Sequence, residues 1–488
     1  MLVVNYKTTA RADEWEGKQQ DASQETCLCN QYRALGKKSV EIMTLKKLFA
    51  LCFLLLCQIT VAQNDSITKL KTVVVSDANL KKYSNSQSVL KLNDSVIGKN
   101  EALLTDLLNF NSTIYFKEYG RGMLSTVAFR GTTSSQTAVI WNGININSQM
   151  NGSTDFNTIS GSDYNSISVK AGGGSVIYGS GAVGGTVHLN TDLAFYNKFE
   201  NSLRLDYGSF NTIGINYKTS ISNKKWSTQI GFSKNSSTND YKYLNQYNWK
   251  GEQRWNQNGQ YDVITLSANA GYKINDKNSL KLYTQTSNTD RNTSLVSESE
   301  TKSKYVNGFN RNLLEYDGDF GRFKTNLKTA YIFENYKYYA DNSSNIFTYG
   351  KTENFISKAD LGYQLLESIQ LNGILDYNRT KGYGSGFGDN VREISSAALL
   401  IKQDISADWK NEFGVRKEFT DNYKSPVLFS AGSSYQFGKL YNLKLNVSRN
   451  FRIPTFNDLY WQQGGNPDLK PEYANSAELG WFKNGATE

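Results

Sequence analysis

The chain has 488 residues, with 54 Lys and Arg against 45 Asp and Glu, a formal net charge of +9. The basic residues are scattered without a block, which sets aside a nucleic-acid footprint. A single histidine, His188, sets aside catalysis or zinc binding built on several imidazoles. Mean hydropathy is -0.54, and no stretch after residue 62 is long and apolar enough for a membrane helix. A membrane β-barrel is not excluded, because it carries its apolar band at every second residue.

Taken in chain order, the first export signal begins at Met43. Lys46 and Lys47 form a positive region, Leu48 to Cys57 a short apolar one, and Thr60 and Ala62 supply the small residues of a cleavage site. The segment 43–62 is therefore predicted to be a signal peptide cleaved after Ala62. Residues 1–42 are polar and aperiodic, and they precede that signal. They read as a non-native upstream extension. All four cysteines lie before Ala62, so the mature chain is expected to have no disulfide framework and no thiol metal site.

Residues 71–190 mix helical and strand patterns. "NEALLTDLLNF" places Leu103, Leu104, Leu107 and Leu108 on one side of a helix, with Asn100 as the expected N-cap. Short strands follow in "STVAFRG", "TAVIWNGININ" and "SISVKAG", and Asn142-Gly143 is a hairpin turn signal. Then comes "GGGSVIYGSGAVGG", with seven glycines in fourteen residues. A Walker loop needs Gly-Lys-Ser/Thr leading into a helix, and a Rossmann turn likewise leads into a helix. Here Gly184-Gly185 lead into the strand-like Thr186-Val187-His188-Leu189. The glycines are expected to serve backbone packed against backbone, and His188 to be a packed strand residue.

From about residue 195 the chain alternates strictly. Ile213, Ile215 and Tyr217 alternate with Gly214, Asn216 and Lys218. Trp226, Thr228, Ile230 and Phe232 alternate with Ser227, Gln229, Gly231 and Ser233. Leu443, Leu445 and Val447 alternate with Lys444, Asn446 and Ser448. Period two over such lengths predicts strands with one apolar and one polar face. Short turns ("SNKKW", "NDKNS") contrast with longer polar loops at 236–260 and 290–309, the asymmetry of an outer-membrane barrel. A soluble β-sandwich would use shorter strands and more proline.

Four stretches, in this order, resemble the TonB-dependent outer-membrane receptors: "LKTVVVSDA" from Leu70, "VAFRGTTSSQTAVIWNGININ" from Val127, the glycine-rich stretch, and "NFRIPTFNDLYWQQGGNPDLKPE" from Asn450. The resemblance implies a mainly β fold, a transmembrane antiparallel β-barrel with a small N-terminal α+β plug domain in its lumen. It divides the chain into a linker at 63–77, a plug at 78–192 and barrel at 193–488. It implies a TonB box at Thr72, Val73, Val74 and Val75, and plug-core positions at Arg130, Gly131, Asn142, Gly143, Gly179, Gly184 and Gly185. Roughly 290 residues of barrel at ~20–25 per strand give about 12–15 strands, against ~22 for a plugged transporter, so the barrel is expected to be truncated at its C-terminus.

A plugged lumen is no diffusion pore, and no nucleotide site is evident, so passage must be driven by contact. A Val-rich segment can add as a strand to a periplasmic partner; in the family that partner is the TonB energy-transducing complex. The other reading is that Val73–Val75 form the first plug strand. The loop after Asn142-Gly143 resembles the substrate-facing loop of cobalamin receptors, which makes Asn147, Ser148, Gln149, Met150 and Asn151 the candidate ligand contacts. Asp155 is left unassigned, and "FKEYGRGM" from Phe116 is a second candidate apex. The expected function is active import of a corrinoid across the outer membrane of a Gram-negative bacterium, by a monomer in contact with outer-membrane lipid, without cofactor or metal. A ferric-siderophore receptor, or a passive porin or adhesin, is the alternative. An enzyme is disfavoured, because no carboxylate pair, triad or metal cluster stands out.

Overall fold

The computed structural model describes residues 77–483, apart from 101–102, 246–250, 296–299 and 439. The candidate TonB box, the cleavage site at Ala62 and the upstream extension lie outside the described residues. Two sheets dominate. The first holds short strands β1 (Val89–Leu92), β4 (Thr137–Trp141), β5 (Ile144–Asn145), β6 (Ser166–Ala171) and β7 (Gly185–Asn190) in the order β1-β6-β7-β4-β5, while β2 (Tyr115–Glu118) and β3 (Ser125–Ala128) pair separately. Only the β4–β7 pairing is parallel within that sheet. Its helices are α1 (Ala78–Lys82), α2 (Asp94–Lys99), α3 (Leu104–Asn111) and α4 (Ser175–Tyr178).

The second sheet is an antiparallel meander of fourteen strands. It runs through β8 (Lys198–Gly208), β9 (Thr212–Ser222), β10 (Trp226–Ser237), β13 (Tyr261–Lys273), β14 (Asn278–Asn292), β15 (Lys304–Phe320), β16 (Phe323–Tyr339) and β17 (Thr348–Leu366). It continues through β18 (Ile369–Gly384), β19 (Gly388–Asp404), β20 (Trp409–Phe419), β21 (Leu428–Phe437), β22 (Tyr441–Arg452) and β23 (Glu472–Lys483), with β8 and β23 at its edges. Helix α5 (Phe456–Tyr460) lies between the last two strands. Strands β13 to β20 are 11 to 19 residues long, at or beyond the ~9–11 residues a tilted transmembrane strand needs. Among the described residues no helix is long and apolar enough to cross a membrane.

The alternation is inside-out. In β10, Ser227, Gln229 and Ser233 are buried while Trp226 and Ile230 are exposed; in β22, Asn446 and Ser448 are buried while Leu445 and Val447 are exposed. The polar face looks at the plug and the apolar face looks out, the arrangement of a wall whose solvent is lipid. Where the wall meets the plug it turns apolar: Tyr283, Leu313, Ala330, Ile332 and Ile356 join one core with Leu104, Leu107, Leu108, Val139, Trp141, Val187 and Leu189 of the plug.

Three expectations are corrected in detail. Asn100 does not start the Leu-rich helix; it ends α2, its N–H donating to the Ile97 carbonyl and its side chain to the Val96 carbonyl. Helix α3 starts at Leu104, whose N–H is taken by the Ile159 carbonyl at 3.0 Å. A tertiary acceptor thus replaces a side-chain cap. The loop expected at 236–260 folds its own antiparallel ribbon, β11 (Lys242–Asn245) with β12 (Glu252–Trp255). The loop expected at 290–309 is shorter, because β14 runs to Asn292 and β15 starts at Lys304. In both places the polar composition disguised pairing that needs no apolar face.

Candidate functional site

Asn142 and Gly143 take left-handed backbone, with φ of 46° and 86°, as a two-residue hairpin between β4 and β5 demands. Asn142 is fully buried: its Oδ1 accepts from the Thr191 N–H, and its carbonyl accepts from Lys328 Nζ of β16 at 2.7 Å. The turn is thereby tied to the barrel wall. Arg130 and Gly131 are also left-handed, and Arg130 pairs with Glu478 of β23 at 2.6 Å. Gly184 and Gly185 are sites of close approach. A Cβ on Gly184 would stand 2.7 Å from the Phe129 carbonyl, and one on Gly185 would stand 2.6 Å from the Lys170 carbonyl. Gly179 packs beside Arg416 and Glu418 of β20.

The loop after the hairpin is braced from within. Asn147 Oδ1 accepts from the Val139 N–H, while its Nδ2 donates to the carbonyls of Thr137 and Gly152. Both ends of that amide are engaged in holding the loop, so Asn147 is a bracing residue here. The loop backbone is held from the barrel side: the N–H groups of Phe456 and Asn457 donate to the carbonyls of Gln149 and Met150. Met150 packs on Phe387 and Phe456. Helix α5 holds this position through a capping box, in which Thr455 and Asp458 each take the other's backbone N–H, and Arg452 pairs with Asp458 at 2.8 Å. The late motif read in the sequence is thus the seat of the plug loop.

Ser148, Met150 and Asn151 line a cavity of about 550 Å³. Tyr119, Met123 and Leu124, in and just after the second candidate apex, line the same cavity. Two loops proposed separately therefore converge. The opposite wall is barrel: Arg291, Tyr305, Phe309, Arg311, Glu334 and Tyr336 of β14, β15 and β16. Gln149 and Asn147 face a smaller gap of about 120 Å³, whose barrel side carries Asp376, Arg416 and Glu418. Asp155, unassigned in the sequence, caps a short 3-10 turn, accepts from the Ser125 N–H, and pairs with Arg291 at 2.5 Å across the plug–barrel boundary.

The cavity's charged lining is Asp155, Arg291, Arg311 and Glu334, which sums to zero. The barrel half was missed in the sequence. Its signal was parity: Arg291 falls in phase with buried Ser287 and Thr289, and Arg311 with Phe309 and Leu313.

Within the plug sheet, His188 is fully buried and bridges two groups. Its Nδ1 lies 2.7 Å from Asp77 and its Nε2 lies 2.6 Å from Thr186. Tyr178 donates to the same Asp77 carboxylate, which also caps α1 at the Leu80 N–H. Burial alone raises the Asp77 pKa; the hydrogen bond and charge of His188, with Lys328 and the Leu80 N–H, outweigh it and hold the carboxyl well below its usual range. The pattern imitates a hydrolytic relay, but Thr186 and His188 are both 0% exposed, which keeps the hydroxyl and the imidazole from a substrate. Among the described residues no cluster of His, Cys, Asp and Glu could hold a metal.

Residues 81–186 match the family model described as TonB-dependent Receptor Plug Domain, and residues 200–485 match TonB dependent receptor-like, beta-barrel. The chain is similar to the Vitamin B12 transporter BtuB of Photobacterium profundum, at 25% identity over 369 residues, covering 74% of this chain and 58% of that protein. The corresponding transporter of Vibrio vulnificus is 24% identical over 373 residues, with the same coverage. The chain thus spans 58% of the length of these curated relatives. Among solved structures, the siderophore receptor PirA from Acinetobacter baumannii superposes with a TM-score of 0.69 at 14% identity, covering 86% of this chain and 70% of that one. The FrpB iron transporter from Neisseria meningitidis gives 0.69 at 14%, covering 83% and 72%. These likenesses share the plugged-barrel fold, and the matched families are receptors and transporters, not enzymes. With its plug and barrel models together spanning most of the sequence, the chain belongs to the TonB-dependent receptor family.

Proposed function

We propose that this protein is an energised importer of the Gram-negative outer membrane that captures a corrinoid at the cell surface. The observation that carries the reading is the cavity between the plug apices and β14–β16, whose lining charges cancel. A nearly neutral, amide-rich ligand suits Ser148, Asn151 and that balanced wall; a multiply anionic chelate calls for a net positive one. The sequence relatives named as vitamin B12 transporters support the same ligand. Energy enters through strand addition of Thr72, Val73, Val74 and Val75 to TonB. The protein acts as a monomer among outer-membrane lipids, and its domains follow the 63–77, 78–192 and 193–488 division.

The second reading, a ferric-siderophore receptor, is favoured by the aromatic wall of Tyr119, Tyr305 and Tyr336. The test is uptake of labelled cyanocobalamin by cells carrying the full-length protein, with and without a protonophore. Saturable uptake that collapses with the protonophore is the expected result. Uptake indifferent to it would mean a passive pore, and absence of saturable cyanocobalamin binding would remove the ligand assignment.

A further inference from the structure

The barrel wall of the cavity holds a guanidinium with N–H groups to spare. Arg311 lines the cavity and is 3% exposed. Its guanidinium lies over the Phe309 ring, 3.7 Å from the centroid. Its Nε and Nη1 are buried without a hydrogen-bond partner among the described residues. The neighbouring Arg291 also has an Nη1 without a well-aligned hydrogen bond, but it differs in holding Asp155 as a close ion-pair partner. The carboxylate facing Arg311 is Glu334, with the Tyr164 phenol on the plug side.

A buried guanidinium with unmade hydrogen bonds is costly to a fold. Arg is also the side chain whose planar fork matches two oxygens of one anionic group. We propose that Arg311 is a ligand-recognising cation of this cavity, and that its N–H fork takes the phosphodiester of a corrinoid's nucleotide tail. The inference rests on the corrinoid reading given above. A corrinoid carries many amides but one phosphodiester, so one cation with N–H groups to spare is enough for it. Glu334 faces Ser148 as well as Arg311. Phe309 gives the guanidinium a flat backing, which leaves its edge for the oxygens.

The experiment compares wild type with Arg311→Gln and Arg311→Lys, each as full-length protein in outer-membrane fractions. Folded barrel is first matched by heat-modifiable mobility. Equilibrium binding is then measured with three probes: cyanocobalamin, dicyanocobinamide, which lacks the nucleotide tail and its phosphate, and a ferric tris-catecholate. The expected result is that Arg311→Gln weakens cyanocobalamin binding about ten- to a hundredfold, the worth of a charged hydrogen-bonded contact, with cobinamide binding unchanged. Arg311→Lys should recover part of the loss. Equal weakening for cyanocobalamin and cobinamide, or no weakening, overturns the role of Arg311 and leaves the corrinoid reading standing. If wild type binds neither corrinoid but binds the tris-catecholate, the corrinoid reading and its phosphodiester contact both fall.

Discussion

The plug sheet and the barrel sheet bury opposite things. In β4 and β7 every residue is buried, apolar and polar alike, because protein covers both faces. In β10 burial alternates, and it is the serines and glutamine that are buried while tryptophan and isoleucine are exposed. The same residue types therefore report different solvents. In the plug, an apolar side chain marks the inside; in the barrel it marks the side turned to lipid. A single rule that hydrophobic residues lie inside would invert strands such as β10 and β22.

The sharpest way to break this comparison is to place a charge in the plug core and a further apolar side chain on the outward face of the barrel. Val187→Asp puts an unpaired carboxylate in the plug core, at a cost of about 4 kcal/mol or more. The plug should then lose protease protection in intact outer membranes, while Thr228→Val on the outward face of β10 leaves inserted barrel unchanged. A protected plug in the Val187 variant would mean that its core is not the fully covered layer described here. The boundary between regions comes next. Arg291→Met leaves half-buried Asp155 without its ion-pair partner, costing about 1–3 kcal/mol. The Arg291→Met, Asp155→Asn double variant should recover part of this, read as the urea midpoint for plug protection. Additive losses would mean that the pair does not couple plug to wall.

Close backbone approach gives a smaller effect. Gly185→Ala drives a Cβ into the Lys170 carbonyl and Phe129 ring and should cost about 1–3 kcal/mol. Gly98→Ala, inside α2 with nothing within 4 Å, should instead stabilise by up to about 1 kcal/mol. The same midpoint measurement checks both, and equal effects would refute the packing account.

Asp163 offers a pH-dependent test of the plug–barrel contact. Burial pushes its carboxyl up to about 7, with the Ser233 hydroxyl and the Lys218 charge pulling the other way; Asn216 lies against its other oxygen at 3.5 Å. A raised folded-state pKa contributes stability that is fully present below pH ~4 and lost as pH rises through 7. Plug protection should therefore fall across that window, and Asp163→Asn should flatten the profile. The smallest effect expected is on the ligand. Asn151→Ala, at an exposed loop position, should weaken cyanocobalamin binding less than about tenfold. Asn147→Ala should weaken it more, by loosening the loop. The reverse order would return Asn147 to the role of direct contact.

The barrel was legible because period two needs only composition at alternate positions, as in Trp226 to Ser233. The hairpin at Asn142-Gly143 was legible because few residue pairs tolerate two left-handed positions. What escaped depends on distant partners. The start of α3 moved because the Ile159 carbonyl, more than fifty residues away, supplies the acceptor for Leu104. Asn147 read as a ligand contact because an amide looks the same whether it faces a ligand or the carbonyls of Thr137 and Gly152. Arg291 and Arg311 were missed although their strand parity was visible. The sequence does not show which inward positions lie opposite a plug apex.

The Asp77 cluster has a mechanical consequence. Asp77 caps α1, and its carboxylate is fastened to His188 on β7. Strand β7 is the middle of five, held by β6 on one side and β4 on the other. Tension arriving along the chain at Asp77 is therefore delivered to the centre of the sheet, while edge strand β1, next in sequence, is bypassed. Two central strand pairings then share the load, and they yield less readily than one edge pairing peeled from its end. The bonds of Asp77 to His188 and Tyr178 thus favour a plug that moves as a block over one that frays from its rim.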